Sequence, residues 1–501
     1  LCDVSALEAE LLTSRERPIV LLAKRRVGAL SDSVAPGSRY LGVMLPYTPL
    51  HHLLLRAAGR PLVMTSGNRS DEPIVYENRD ACTRLAGVAD RFLLHDRPIR
   101  TRCDDSVVRR MSDGPSFIRR SRGWAPRPIA VAGRFAAPVL GLGAQLKSTF
   151  CLAKGNRAFL SQHVGDLDCP DTFRALGSAV AHYVGLFDAR PEIVAHDLHP
   201  DYLSTRLAEE MNGVERVAVQ HHHAHVAACM AEHRVTEPVL GVVFDGAGLG
   251  DDGAIWGGEF LAVGGAGYER MAHLGYVPLP GGDRAAREPW RMAAAHLWAA
   301  YSGEVERLEI PFAAVTARPE WPLLRQMLGR GVRCPHTSSV GRLFDAAAAL
   351  VGLRSESRFE GQAAMELELA ADPDVSRAYA VEIGEAGGRL VVDPGPLIRG
   401  LVADIAANRS VAEIAGAFHN TVGDLIVQVV ERVRERTGLR TVALTGGVFQ
   451  NRLLTERAQR ELSRRGFAVL IHRRVPCNDG GISLGQAAVA GRILTGIATC
   501  A

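Results

Sequence analysis

A sequence pattern that occurs twice constrains the fold of this chain more than any other feature. From Val139, VLGLGAQLKSTFCLAKGNRAFL places an apolar strand before a glycine turn and further strands, and VLGVVFDGAGLGDDGAIWGGEF repeats that order from Val239. The apolar runs predict the strands, and the glycines between them predict tight turns. Because helical segments follow each copy, the duplication predicts a two-lobed α/β domain that binds phosphates.

The 501 residues are enough for two to four domains. Before the duplicated part, apolar runs at Ile19–Leu22 and Pro61–Met64 alternate with a helical stretch at Asp80–Leu85, which predicts a separate α/β domain. The Pro/Ala/Gly-rich residues Ala125–Pro138 are interpreted as a linker. The predicted domains are therefore residues 1–128 and 129–501.

Four further segments have clear local signals. Gly155-Asn156 is typical of a hairpin turn between two strands. The periodicity of Val411–Arg436 predicts an amphipathic helix, and TVALTGG after it predicts a strand that ends in two glycines. A final strand, loop and helix are predicted over Phe467–Leu494.

Composition excludes several classes of protein. With 47% hydrophobic and 23% charged residues and no long apolar run, the chain is not expected to enter a membrane. Its 58 basic and 55 acidic residues leave a net charge of +3, too small to bind nucleic acid by charge alone. The nine dispersed cysteines form no CxxC pair, which favours a reduced, cytoplasmic protein without disulfides. Because the chain begins at Leu1 with no signal peptide, we also expect it to be a fragment of a longer protein.

The strongest chemical signal is a run of histidines, QHHHAH, at the start of a predicted helix. Residues four apart share one face of a helix, so His221 and His225 can bind one metal ion through neutral imidazoles, while His222 and His223 point elsewhere. A single histidine at this position would be interpreted as a hydrogen-bonded polar residue at the start of a helix. Four in five residues favour a metal site.

Two imidazoles need a carboxylate to complete the site. The first candidate is Asp479, in the loop PCNDGG before the last helix. The second is Asp245, which ends the strand VLGVVFDG and is equally well explained as a turn residue or as a group that orients phosphate or water. Two histidines, a carboxylate and open positions suit Zn or Fe as a Lewis acid.

Glycine turns after strands are the candidate nucleotide sites. In Thr445–Asn451, Gly446 and Gly447 separate a strand from a helix, and Gly143 stands in the first duplicated turn, four residues before Lys147. Lysine occurs only at positions 24, 147 and 154, since the chain uses arginine almost everywhere else. A lysine retained beside a glycine turn favours contact with phosphate.

In the first segment, the polar residues of MTSGN, Ser66 and Asn68, precede several arginines. Hydroxyl, amide and guanidinium groups suit the recognition of phosphate or carboxylate, although an ordinary turn followed by basic strands fits the spacing equally well. The sequence contains no GxSxG, Walker A, HExxH or GxGxxG element, which removes the usual hydrolase, P-loop and dinucleotide-binding interpretations.

Taken together, these motifs resemble one family, the HypF carbamoyltransferases of NiFe-hydrogenase maturation. The resemblance is carried in the second part of the chain by QHHHAHVAACMAEH, FDGAGLGDDGAIWGGEF, SSVGRLFDAAAALVG, FEGQAAMELE, LTGGVFQNRLL and PCNDGGISLGQA. The first segment resembles a YrdC-type domain through LGVMLPYTPLHHLLL, PLVMTSGN, HDRPIRTRCDDSVVRR and RRSRGWAPRPI.

The resemblance implies a fold and a reaction. It implies a truncated YrdC-like α/β domain followed by a two-lobed ASKHA-type (actin/Hsp70-like) domain related to the TsaD/Kae transfer enzymes. The YrdC-like domain would make carbamoyl-adenylate from ATP and from carbamate derived from carbamoyl phosphate. The second domain would pass the carbamoyl group to the C-terminal cysteine of HypE, on the way to the cyanide ligands of the hydrogenase. Mg²⁺ is expected to accompany ATP.

The resemblance also implies roles for individual residues. His221, His225 and Asp479 would bind the metal, and Asp245 and Lys147 would face phosphate or the carbamoyl group. The nucleotide would be bound by Gly143, Glu360, Gly446, Gly447 and Asn451, with Ser66 and Asn68 in the adenylation site.

This sequence departs from the family pattern in three ways. It contains no acylphosphatase domain and no paired CxxC zinc modules, and the YrdC-like part lacks its first strands, so carbamoyl-phosphate hydrolysis is not predicted and an incomplete adenylation site is expected. Ala247 also stands where the family motif FDGTG has threonine.

Two alternatives remain from the sequence. An O-carbamoyltransferase of antibiotic biosynthesis would share both domains, and a non-catalytic ASKHA nucleotide-binding protein would share the second. The paired histidines disfavour the non-catalytic alternative. The near-neutral charge disfavours a tRNA-modifying role.

Overall fold

Two α/β units make up the chain in the computed structural model, which describes residues 1–25, 30–69, 72–265 and 267–494. The first unit comprises Leu1–Val219, Ala227–Thr236 and His472–Ala501, and the second comprises Gln220–Val226 and Glu237–Ile471. These units do not coincide with residues 1–128 and 129–501, and that domain division stays a prediction.

The helices of the described residues are α1 (Ala6–Thr13), α2 (Pro49–Ala58), α3 (Asn78–Arg84), α4 (Pro170–Phe187), α5 (Leu203–Glu210), α6 (His221–His233), α7 (Asp283–Arg287), α8 (Pro289–Ala300), α9 (Trp321–Arg330), α10 (Val340–Leu350), α11 (Gln362–Ala370), α12 (Gly395–Ala406), α13 (Val411–Thr437), α14 (Arg452–Arg464) and α15 (Ile482–Leu494). None of them is both long and apolar enough to cross a bilayer.

The strands are β1 (Ile19–Ala23), β2 (Tyr40–Val43), β3 (Val107–Met111), β4 (Gly114–Arg119), β5 (Ile129–Gly141), β6 (Cys151–Leu160), β7 (Ile193–Asp197), β8 (Glu215–Val219), β9 (Val239–Leu249), β10 (Ile255–Gly264), β11 (Gly267–Leu274), β12 (Val277–Pro278), β13 (His336–Thr337), β14 (Glu382–Ala386), β15 (Arg389–Asp393), β16 (Thr441–Thr445) and β17 (Ala468–Ile471).

The first unit contains two four-stranded sheets. The order β2-β1-β3-β4 forms one sheet, whose small core centres on Val20, Val108 and Phe117. The second sheet has the order β6-β5-β7-β8, in which β5 pairs antiparallel with β6 and parallel with β7. Helix α15 packs closely on this second sheet, because a Cβ at Gly141 would lie 2.2 Å from the carbonyl oxygen of Ser483. The missing side chain therefore permits the contact.

The second unit is built on one sheet with the order β14-β15-β11-β10-β9-β16-β17. Strand β9 pairs antiparallel with β10 and parallel with β16, as β5 pairs with β6 and β7 in the first unit. The predicted duplication is therefore confirmed at the level of strand pairing.

The predicted helix over Val411–Arg436 is confirmed as α13. It begins with a capping box in which the side chains of Ser410 and Glu413 each accept a hydrogen bond from the other residue's backbone amide. It ends at Gly438, in the left-handed conformation that glycine adopts without strain.

Three local predictions are wrong. The expected linker Ala125–Pro138 instead leads into β5, and Pro138 lies where the pairing register with β6 shifts. Gly155-Asn156 is not a hairpin turn, since β6 runs through it and Gly155 lies opposite Phe135 at a register irregularity. The apolar run Pro61–Met64 forms no strand, and Val63 is 77% exposed.

Helix α8 contains a buried histidine whose ring nitrogens have no hydrogen-bond partner among the described residues. Burial lowers the pKa of His296 from 6.5 to about 4. As the pH falls from 6.5 towards 4, His296 becomes protonated in the unfolded chain but stays neutral in the folded chain. The free energy of unfolding therefore decreases across this interval. The loss reaches about 3 kcal/mol at the low end.

We therefore expect His296→Phe to remove this acid sensitivity. The urea midpoint of the variant should fall less than that of the parent chain between pH 7 and pH 4.5. His95→Phe, at an exposed position, is the matched control and should leave the pH dependence unchanged. Equal pH dependence of His296→Phe and the parent chain would contradict the assignment of a neutral imidazole.

Candidate functional site

The start of α6 presents two imidazoles on one face. Their ring centroids lie 5.2 Å apart, and His221 and His225 are both almost completely buried. The side chain of Gln220 accepts a hydrogen bond from the backbone amide of His223 at 2.8 Å and so caps the first turn. Within the second unit, the ring of His222 packs towards Trp256, and the ring of His223 lies against Tyr268. His221 and His225 therefore share one face of α6, while His222 and His223 contact aromatic rings.

Strand β9 brings Asp245 to these imidazoles. Its Oδ2 lies 2.8 Å from Nε2 of His225 and 3.6 Å from Nε2 of His221. Its Oδ1 accepts hydrogen bonds from the backbone amides of Gly246 at 2.8 Å and Gly447 at 3.2 Å. Burial raises the pKa of Asp245, but the two histidine contacts outweigh it and hold the pKa well below its ordinary value.

Glycines make this close approach possible. A Cβ at Gly248 would lie 2.6 Å from Cε1 of His222 and 2.7 Å from Cδ2 of His221. At Gly446, φ is +98° and a Cβ would lie 2.2 Å from the carbonyl oxygen of Phe244. Side chains at either position would push α6 or β16 away from β9, so both glycines are requirements of the site's geometry.

The donor set of the second unit suits a divalent transition metal. The imidazole nitrogens of His221 and His225 and an oxygen of Asp245 all lie within 4.8 Å of one another. Two imidazoles and a carboxylate, oriented by amide hydrogen bonds to its second oxygen, match the ligand chemistry of Zn or Fe sites. The sequence had left Asp245 between a turn residue and a functional group, and the structure places it against both histidines.

Asp479 belongs to the first unit, in a single 3₁₀ turn, Asp479–Gly481, that precedes α15. Within that unit this turn contacts the first duplicated glycine turn, since Thr149 Oγ1 donates to the carbonyl of Gly480 at 3.1 Å. Gly143 is fixed by Gln486 of α15, whose side chain accepts from its amide at 2.7 Å and donates to its carbonyl at 3.0 Å. Gly143 therefore joins the turn to α15 through both of its backbone polar groups.

Lys147 occupies a special backbone position in the same turn. Its φ is +46°, and its amide donates to Oδ1 of Asp166 at 2.7 Å. The charge of Lys147 also affects the nearby His163. Burial is the main cause that lowers the pKa of His163 to about 3, and the charges of Arg119 and Lys147 lower it further.

The other predicted nucleotide residues have different surroundings. Asn451 caps α14, with Oδ1 accepting from the amide of Leu454 at 3.0 Å, and its Nδ2 lies 2.8 Å from Nε2 of His419. Both polar ends of Asn451 are therefore engaged within the protein. Glu360 is exposed, just before α11. Its role as a nucleotide ligand stays a prediction.

Ser66 and Asn68 lie in an irregular loop, where the side chains of the two residues contact each other. Asn68 Nδ2 also donates to the carbonyl of Arg69 at 2.9 Å. Ser66 is exposed and Asn68 is half-buried. Their position in an adenylation site stays a prediction.

Sequence reasoning missed three residues behind Asp245. Ser339, the N-cap of α10, donates to the carbonyl of Asp245 at 2.6 Å. Arg342 and Asp345, one turn further, form a buried ion pair at 3.1 Å. Burial raises the pKa of Asp345 to about 6, against the charge of Arg342 and with that of Glu360. The sequence motif SSVGRLFDA contains Ser339, Arg342 and Asp345, and it is the signal that could have identified them.

The sequence of this chain matches three protein-family models. Residues 241–486 match the profile described as carbamoyltransferase, Kae1-like domain, second subdomain; 134–232 match the HypF Kae1-like domain; and 1–121 match the Sua5/YciO/YrdC profile, described as telomere recombination. A carbamoyltransferase HypF homolog of Cupriavidus necator is 42% identical over 373 residues, which cover 72% of this chain and 93% of that relative. The chain belongs to the HypF family of carbamoyltransferases.

Two further HypF comparisons show the extent of the likeness. Carbamoyltransferase HypF2 of Cupriavidus necator is 47% identical over 537 residues, covering 97% of this chain and 65% of the relative. The chain thus spans less than two thirds of that protein. The crystal structure of full-length HypF in a phosphate- and nucleotide-bound form is 42% identical, with a TM-score of 0.93, over 99% of this chain and 77% of that one. The predicted fold, a YrdC-like domain followed by a Kae1-like ASKHA-type domain, is confirmed.

Proposed function

We propose that this chain is the part of a HypF carbamoyltransferase that forms carbamoyl-adenylate and transfers its carbamoyl group to the C-terminal cysteine of HypE. The observation that carries the proposal is the contact of His221, His225 and Asp245 beside the glycine turn of Gly446 and Gly447, in a chain of this family. A clamp that only binds nucleotide has no use for a buried imidazole pair. The product would supply the cyanide ligands of the NiFe hydrogenase.

Four residues would hold the metal in this proposal. His221, His225 and Asp245 supply the donors within the second unit. Asp479 is added from the family motif PCNDGG. Zn or Fe bound there would act as a Lewis acid towards a phosphate or carbamoyl oxygen.

The proposed chemistry has two steps with balanced products. Carbamate, derived from carbamoyl phosphate, attacks the α-phosphate of ATP, and pyrophosphate leaves. The HypE thiolate then attacks the carbamoyl carbon, a C–S bond forms, the C–O bond to the phosphate breaks and AMP leaves with the electron pair. Mg²⁺ would accompany ATP in the first step.

Backbone and side-chain groups of this chain would stabilise the charge that moves to AMP. The backbone amide of Gly447 donates a hydrogen bond to the carboxylate of Asp245, so this turn already favours negative charge. Lys147 would add an ammonium group at the other glycine turn. The dispersed cysteines, which form no CxxC pair, fit the cytoplasmic location that this reaction needs.

The proposal is tested by ATP-dependent carbamoylation of a peptide that ends in the HypE C-terminal cysteine. Carbamoyl phosphate and chemically prepared carbamoyl-adenylate are used as alternative donors, and thiocarbamate is detected by mass spectrometry. We expect transfer from carbamoyl-adenylate. An absence of transfer with a correctly folded, metal-loaded chain would refute the proposal, and transfer to a hydroxyl acceptor instead would favour an O-carbamoyltransferase.

Lysine substitution gives a sharper prediction in the same assay. Lys147→Met should lower transfer roughly 10- to 100-fold, because it removes a charge that stabilises the leaving phosphate. Lys154→Met is the matched control: Lys154 is exposed, and its ammonium donates to the carbonyl of Asp188 at 2.8 Å, outside either glycine turn. Equal activity of the two variants would exclude a role for Lys147.

A further inference from the structure

A second group of side chains that could hold a metal ion lies inside the first unit, and none of its members has a role in the proposed transfer reaction. It consists of Cys229 and Glu232 on the C-terminal half of α6 and His472, directly after β17. One donor atom from each lies within 4.8 Å of the other two. All three residues are buried, with Cys229 fully so. Residues three apart share a helix face, which explains how α6 offers a thiol and a carboxylate together.

Hydrogen bonds orient the carboxylate of this cluster. Oε2 of Glu232 accepts from the backbone amides of Arg473 at 3.1 Å and Arg474 at 2.6 Å. Oε1 is thereby directed at Nδ1 of His472, 2.6 Å away. A carboxylate with one oxygen held by amides and the other directed at an imidazole is the arrangement that supporting hydrogen bonds produce in metal sites.

The thiol of Cys229 is the soft donor of this cluster. Burial, and then the charges of Glu232 and Cys477, raises the pKa of this thiol well above its usual range. A bound thiophilic cation would displace the proton of the thiol, because a coordinating thiol is deprotonated.

The surroundings meet the two other requirements of a metal site. A cavity of about 490 Å³, lined by His233, Arg234, Arg473, Arg474 and Glu232 itself, reaches the cluster and provides a path for entry. One thiolate and one carboxylate carry two negative charges, which a divalent cation neutralises.

We propose that Cys229, Glu232 and His472 form a second metal site, which takes a thiophilic divalent cation such as Zn²⁺. Sulfur, imidazole nitrogen and carboxylate oxygen are the donors that bind Zn²⁺ in proteins, and three protein ligands leave a fourth coordination position open. Its bound metal would join the second half of α6 to the loop after β17. The site shares no ligand with the His221 and His225 site, and it does not depend on the proposed transferase activity.

The test uses Co²⁺ as a probe, because only a thiolate ligand gives a sulfur-to-cobalt charge-transfer band in the near ultraviolet. The whole chain carries Cys82→Ser and Cys103→Ser, which remove the two exposed thiols among the described residues. We expect Co²⁺ to produce the band, and one equivalent of Zn²⁺ bound at this site to abolish it. A chain that binds Co²⁺ without the band would overturn the proposal and leave a buried ion pair only.

Variants assign the band to its ligands. Cys229→Ser should lose it, whereas Cys151→Ser, which removes an equally buried thiol from β6, should keep it. His221→Ala should also keep it, since that site holds no sulfur. Survival of the band in Cys229→Ser contradicts the proposal. Should Cys229→Ser not fold, as judged by circular dichroism, His472→Gln replaces it and is expected to weaken Co²⁺ binding with loss of the band.

Discussion

Replacing His225 with alanine should lower carbamoyl transfer by a factor on the order of 10³ and prevent binding of the metal that we propose for the second unit. The substitution takes away the imidazole that lies 2.8 Å from the carboxylate of Asp245. It leaves a buried carboxylate without its nearest partner, so we also expect the free energy of unfolding to fall by about 3 kcal/mol. Metal content by atomic spectroscopy, transfer rate and urea unfolding measure the three effects.

His223→Ala is the matched control for this prediction. His223 is buried in the same helical turn, but its ring lies against Tyr268 and not against Asp245. It should lose stability through packing while keeping the metal. If His225→Ala retained full metal content and transfer, the assignment of the site would be wrong.

Gly446→Ala should be the most damaging substitution of a single small residue in the second unit. The new Cβ would stand 2.2 Å from the carbonyl oxygen of Phe244 on the neighbouring strand β9, at a φ of +98°. Backbone atoms cannot move aside without separating β16 from β9, so we expect a loss above about 4 kcal/mol or no folded protein. Thermal unfolding and soluble yield measure this effect.

Gly438→Ala separates strain from collision. Gly438 also has a positive φ, +73°, but a Cβ there would meet nothing within 4 Å. Its replacement should cost only about 1 kcal/mol, the conformational strain of alanine in this region. Equal losses at the two positions would mean that the close approach of β16 to β9 does not limit the fold.

Local signals in the sequence predicted the elements that depend on local physics. Helix α13 has its capping residue, its glycine end and its apolar periodicity within the segment itself. The face shared by His221 and His225 likewise follows from helical geometry alone. The repeated strand and glycine turn predicted the pairing of β9 with β10, because an antiparallel partner follows directly in the chain.

The failed predictions depend on partners far away in sequence. Ala125–Pro138 has the composition of a linker, but most of it becomes strand because β6 and β7 lie on either side of β5. Gly155 has the φ of a turn, +61°, yet the strand continues on both sides of it. Register between strands decides both cases, and a single sequence does not contain it.

The same distinction applies to the site. Asp245 could be chosen only as one of two carboxylates, since its contact with the imidazoles depends on how β9 packs on α6. Ser339 and Arg342 are ordinary helix-start residues by sequence, and only the packing of α10 brings Ser339 to the Asp245 carbonyl. The types of residue in the site were predictable from the sequence, but the contacts that hold Asp245 in place were not.

The three lysines make this chain a sparse target for acylating reagents. Arginine guanidinium groups stay protonated and do not react as amines, so among the side chains an amine-selective label can modify only Lys24, Lys147 and Lys154. The ammonium groups of Lys24 and Lys154 each donate to a backbone carbonyl, of Ala35 and Asp188. After brief acetylation, peptide mapping would therefore report occupancy of the first glycine turn through the modification of Lys147. Lys24 and Lys154 would serve as two internal standards in the same molecule.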